Sequence, residues 1–189
     1  MPFMEMKDSF SEYPDDEDIL KQGSSIAWKD ILKKNGLKDY KELNKALKTG
    51  IGAYKKEIAR QDLYENLYNY FEKENIWWPN EGSYDVFSKK RIYHTLITLE
   101  KKRIMVVDEF GEKKKELNLG ATTETDFVNF IKPKDYYIYS YDEKILFSLD
   151  WDSFFYLIAT DEKNKEVILN IGFEGFNCTN DMKHLWEHQ

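Results

Sequence analysis

The chain has 189 residues, 41% of them hydrophobic and 16% aromatic, with a formal net charge of −7. That length suits a single domain able to bury roughly 70% of its unfolded surface, while the acidic balance disfavours generic nucleic-acid binding, which needs clustered Lys and Arg. The one cysteine, Cys178, excludes an intrachain disulfide and a multi-cysteine zinc site, and suits a reducing compartment.

Residues 1–16, with Pro2 and Pro14, are expected to form an irregular acidic leader. Residues 5–18 carry Glu5, Asp8, Glu12, Asp15, Asp16, Glu17 and Asp18 against Lys7 alone, whereas residues 29–60 carry nine Lys and Arg60 against four acids. The plainest reading is a solvated leader followed by a solvated helical face. A sharper one packs the acidic arm on the basic helices, and a groove for nucleic acid ranks last. Met1 to Phe10 has acids where a secretion signal has a basic start and an apolar run. No stretch reaches the apolar length of a membrane helix, so the cytoplasm is the expected compartment.

Residues 17–78 read as helical. A first helix is expected over Ile26–Asn35, with Ser24 or Ser25 as its cap and Gly36 as its left-handed stop. Trp28, Ile31 and Leu32 supply its apolar spacing. A second runs from Asp39, its cap, to about Thr49, with Leu43, Leu47 and Ile51 on one stripe. Gly50 and Gly52 mark a bend or a close approach between helices. A third spans Ala53 to about Lys73, with Tyr54, Ile58, Leu63, Leu67 and Phe71 on its apolar side and Asp62 as a possible restart. Trp77-Trp78-Pro79 then breaks the pattern, because Pro79 forces Trp78 out of helical geometry. Two adjacent Trp at such a boundary are expected to lock one layer onto another.

Residues 83–189 read as mixed. Helices are expected at Val86–Leu99, Thr123–Ile131, Asp161–Ile171 and Asn180–His188. Strands are expected at Ile104–Val107, Tyr136–Tyr141, Ile145–Asp150 and Phe154–Ala159, and Glu112–Glu116 reads as a charged turn. The fold class is α+β: a helical N-terminal half packed on a small, mainly antiparallel sheet in the C-terminal half, in one domain over residues 1–189.

Chemistry has few places to sit. In a strand, Asp150 and Asp152 share a face opposite Trp151, and two adjacent carboxylates bind hard cations or share a proton. Glu174 or Asp108 is the further oxygen ligand in that reading. The commoner use of Asp152-Ser153 is a turn between strands. Cys178 is a nucleophile only beside a base, and a lone cysteine among Phe173 and Phe176 is more often a small buried hydrophobe. His184 and His188 have the spacing of two ligands on one helix face, but the zinc-protease motif is absent and a polar tail is the simpler reading. Phosphate-binding glycine patterns and the nucleophile elbow are missing. No catalytic residue, metal site or cofactor is assigned. Asp150, Trp151, Asp152, Ser153, Glu174 and Cys178 remain as a candidate binding set.

Trp151-Asp152-Ser153-Phe154-Phe155, Phe173-Glu174-Gly175-Phe176-Asn177-Cys178 and Trp186 resemble the C-terminal signature of an uncharacterised bacterial family, domain of unknown function 2711. Leu43 to Thr49, Ile76 to Gly82 and Asp108-Glu109-Phe110-Gly111 fit the same likeness, which covers most of the chain. The resemblance implies a cytoplasmic bacterial protein and supplies no catalytic residue. The acidic balance, the abundance of aromatics and the failure of every catalytic motif point to a non-catalytic binding protein with a protein partner, one version being an immunity-type protein that neutralises a toxin through an acidic, aromatic surface. The alternative is a metal-dependent hydrolase using Asp150, Asp152 and Glu174. Neither nucleic acid nor membrane is an expected partner.

Overall fold

The computed structural model describes residues 3–8, 12–150 and 152–179. Seven α-helices and two antiparallel sheets make up the described residues, a mixed α+β architecture.

The segment expected to be an irregular leader contains strand β1 (Phe3–Met6). Phe3, Met4 and Met6 are buried while Glu5 is exposed, so three large apolar side chains outweigh the acids around them. The following carboxylates belong to helix α1 (Asp16–Gln22). Asp15 accepts from the Asp18 N–H, and Asp16, Glu17 and Asp18 fill the first turn, where unpaired N–H groups favour negative charge. The acids thus start a helix. Asp16 reaches Lys89 of a later helix at 3.1 Å, and the charge of Glu5 acts on Lys34 of the basic stretch. Strand β2 (Gly23–Ile26) pairs with one side of β1 and strand β3 (Ile76–Trp77) with the other. This small sheet in the N-terminal half was not expected.

Helix α2 (Trp28–Asn35) starts two residues later than its spacing suggests, because Ser24 and Ser25 are spent in β2. Gly36 ends it at φ 64°, as expected. Helix α3 (Tyr40–Gly50) is capped by Asp39, which accepts from Lys41 and Glu42. Leu43 and Leu47 are buried, but Ile51 lies just past the helix and is exposed. The third helix is shorter than expected. Residues 53–60 form turns, and α4 (Gln61–Glu74) begins after Arg60, whose guanidinium holds Asp62 at 2.6 Å. The two helices approach closely at Gly50, where an added Cβ would lie 2.6 Å from the Tyr64 ring. Trp78 meets Phe71 of α4 edge-on at 4.9 Å, and Trp77 meets Tyr13 at 5.6 Å, so each Trp joins different segments.

Helix α5 (Val86–Thr98) is capped by Asp85, and α6 (Glu124–Phe130) by a reciprocal pair, Thr123 and Asp126. Strands β4 (Arg103–Asp108), β5 (Lys114–Asn118), β6 (Asp135–Ser140), β7 (Ile145–Leu149) and β8 (Tyr156–Thr160) form the larger sheet, in the order β5-β4-β6-β7-β8. β5 takes up most of the expected charged turn. Its Lys and Glu residues sit on an edge strand, where charge is tolerated and deters pairing with another chain. Helix α7 (Lys165–Asn170) follows a tighter turn at Glu162–Asn164, so the helix expected over Asp161–Ile171 forms in two pieces. The helix expected at Asn180–His188 lies outside the described residues.

Register fixes the two faces of the larger sheet. Val106, Ile138, Phe147 and Ile158 stand opposite one another across four strands, and all belong to or pack on the main core. They join Ile31, Leu43, Leu47, Leu67, Phe71, Ile92 and Leu96 from the helices. No helix among the described residues is long and apolar enough to cross a membrane.

Candidate functional site

The Asp150–Ser153 segment connects β7 to β8. The Ser153 N–H donates to the Asp150 carbonyl at 3.2 Å, closing a turn, and the Ser153 carbonyl accepts from the Gly82 N–H at 3.0 Å. Ser153 is buried and its Oγ accepts from the Phe155 N–H at 3.4 Å. Ser153 therefore ties the strand connection to the loop after β3. Asp150 and Asp152 are half-buried beside this turn. Burial and then the Asp152 charge push the Glu81 carboxyl above its ordinary range. Burial, followed by Glu109, Asp152 and Asp150, likewise raises the Tyr136 hydroxyl. Trp151 lies outside the described residues.

Glu174 has a different role. Its Oε2 accepts from the Trp28 N–H at 2.7 Å and its Oε1 from the Lys29 N–H at 3.2 Å. The residue before α2, Ala27, offers no side-chain cap, so a carboxylate from the far end of the chain supplies one. Flanking rings hold it there. Phe173 is buried against Phe147 and Tyr156, and Phe176 meets Phe155, which in turn packs edge-on against Trp28 at 4.4 Å. Phe176 itself is 46% exposed, with the Lys41 ammonium 6.0 Å from its ring, so it fills no core pocket. Cys178 is exposed, which corrects the expectation of a buried thiol: the chain beyond Phe176 has left the core. Among the described residues no three His, Cys, Asp or Glu side chains gather as a metal-holding group. His184 and His188 lie outside them.

The surface left open by the fold is the outer face of the larger sheet. Met105, Tyr139, Leu146 and Ala159 stand in one row across it, and Val107, Tyr137, Ser148 and Leu157 in the next. Val107 is buried, and the other seven belong to neither core cluster among the described residues. A shallow groove of about 460 Å³ runs over Val107, Lys114, Tyr137, Tyr139, Glu143 and Leu146. At one end the β4–β5 turn raises Phe110, 77% exposed. That turn is held by Asp108, whose Oδ1 accepts from the Glu112 and Lys113 N–H groups. At the other end Tyr141 is exposed beneath the Arg103 guanidinium, 4.1 Å from its ring. A solvated sheet face normally alternates to polar residues. This one leaves Met105, Tyr137, Tyr139 and Leu146 half-buried and Leu157 exposed, the mark of a contact surface. The signal was present in Asp135-Tyr136-Tyr137-Ile138-Tyr139-Ser140, where rings fall on both faces.

Comparison with known proteins agrees with the sequence likeness. The family model described as Protein of unknown function (DUF2711) matches residues 1–188. The uncharacterised protein YwbB of Bacillus subtilis (strain 168) is 26% identical over 177 residues, which cover 92% of this chain and 77% of that protein. No solved structure matches.

Proposed function

We propose a binding role for this chain, which belongs to the DUF2711 family of proteins of unknown function. It is a non-catalytic protein of the bacterial cytoplasm whose contact surface is the outer face of the five-stranded sheet. The observation that carries this reading is the set of half-buried Met105, Tyr137, Tyr139 and Leu146 with exposed Leu157 on that face, outside both core clusters. Tyr is the residue type most at home in such a surface, because it offers a large, stiff ring and a polar tip. The partner is a protein. The net charge of −7 favours a basic one, which long-range attraction would steer toward the chain. An immunity-type protein that blocks a basic toxin is one version of this reading.

The metal-dependent hydrolase has weaker support. Glu174 already accepts two N–H groups of α2, and Asp150 flanks a turn whose geometry accounts for the segment. Affinity capture from the native host tests the binding reading. One protein recovered in stoichiometric amount by the parent chain, and lost by Tyr139→Asp, supports it. Absence of a stoichiometric partner counts against it.

A further inference from the structure

A second concave surface uses none of the sheet-face residues. It is a cleft of about 280 Å³ between α3, α4 and the loop after β3. Tyr64, Tyr68 and Trp78 form an aromatic wall, with ring centroids 5.9, 6.0 and 6.4 Å apart. The core residues Leu47 and Phe154 also line it. Local structure holds the wall in place. The Tyr64 ring occupies the space a side chain at Gly50 would need, Trp78 is braced edge-on against Phe71, and buried Pro79 fixes the backbone beyond it.

The charge of the cleft has one sign. Glu81 is the one charged residue among the described residues lining it. Its carboxyl is raised by burial and by the neighbouring Asp152, so a second negative charge lies close behind the first. Glu72 adds a third from α4, in hydrogen-bond contact with Tyr68. Ring faces carry negative potential and attract a cation most strongly when it sheds water easily, as alkylated ammonium ions do. Exposed Glu81 stays solvated beside a neutral ligand and gains a charge partner only from a cationic one.

We propose that this cleft binds a small organic cation with an alkylammonium head, seated over the Tyr68 and Trp78 rings with Glu81 as its counter-ion. The reading is independent of the sheet-face role, and either can fail alone.

Calorimetric titration of the full chain with choline chloride tests it, beside choline's neutral tert-butyl isostere and sodium chloride. Saturable choline binding is expected, with the isostere bound at least about tenfold more weakly. Tyr68→Leu and Glu81→Gln, both at exposed positions, should each weaken choline binding by roughly three- to thirtyfold. No saturable choline heat at millimolar concentration overturns the proposal, as does equal binding of the isostere or parent-like binding by both variants. A lysine-containing peptide that binds more tightly than choline overturns the assignment to a small free ligand.

Discussion

Glu174 caps the helix that starts at Trp28, 146 positions earlier in the chain, with its Oε2 2.7 Å from the Trp28 nitrogen. One carboxylate thereby fastens the C-terminal segment to the helical layer. It also removes the most plausible third ligand from a metal site built on Asp150 and Asp152. The stability effect follows from capping energetics. Glu174→Ala should destabilise the fold by about 1–2 kcal/mol. Glu174→Gln keeps one accepting oxygen, so the Trp28 N–H stays capped while the Lys29 bond and the charge–dipole attraction go, a loss of about 0.5–1.5 kcal/mol. Urea denaturation without added metal measures both. An unchanged midpoint for Glu174→Ala would return the residue to the pool of ligands.

Gly50 should behave opposite to its helix propensity. Gly→Ala inside an open helix stabilises by roughly 1 kcal/mol. Here the new methyl would meet the Tyr64 ring at 2.6 Å, so Gly50→Ala should destabilise by about 1–3 kcal/mol as α4 or the ring shifts. A thermal melt gives the sign directly, and tyrosine fluorescence should report the displaced ring.

Acid sensitivity has a traceable part. The Lys101 ammonium and the Ser140 hydroxyl hold the Asp142 carboxyl down to about 2. An ordinary Asp titrates near 3.9, so between these values the unfolded chain binds more protons than the folded one. The stability Asp142 contributes is therefore fully present above about pH 4 and lost as the pH falls toward 2. Asp142 is half exposed, which keeps the contribution small. Asp142→Asn should flatten the stability–pH curve in that window, with a small loss of stability at neutral pH and almost none near pH 2, where the native carboxyl is already protonated. Equilibrium unfolding at a series of pH values checks this.

Much of the fold was legible because its signals are local. Asp39, Asp85 and Thr123 stand where helices begin, and Gly36 where one ends. Ile104 to Val107 and Ile145 to Asp150 read as strands because their apolar runs are short and bounded. What escaped depended on partners remote in sequence. β1 is a strand only because β2 and β3 flank it, and neither the acids beside it nor Pro2 announce that. β5 is half charged and pairs because β4 does. The candidate site was read less well. Ser153 does turn the chain between two strands, as the plainer reading held, but the Glu174 cap cannot be read from spacing when donor and acceptor are 146 residues apart. The sheet face is not legible because Tyr136–Tyr141 alternates only weakly, so spacing does not say which rings face the core.

Substitutions on that face should leave the fold intact. Phe110→Ala, at a 77% exposed turn, should change stability by no more than about 0.5 kcal/mol, and Tyr139→Asp, between Met105 and Leu146 on a central strand, by about 1–2 kcal/mol, which leaves the chain folded. A single cooperative denaturation transition for both variants, combined with lost partner capture, separates binding from folding.

The most direct test is hydroxyl-radical footprinting of the chain alone and in its captured complex. Protection should concentrate at Phe110, Tyr137, Tyr139 and Leu146. Unchanged reactivity there, with protection around Asp152 and Cys178 instead, would contradict the assignment of the open sheet face as the contact surface.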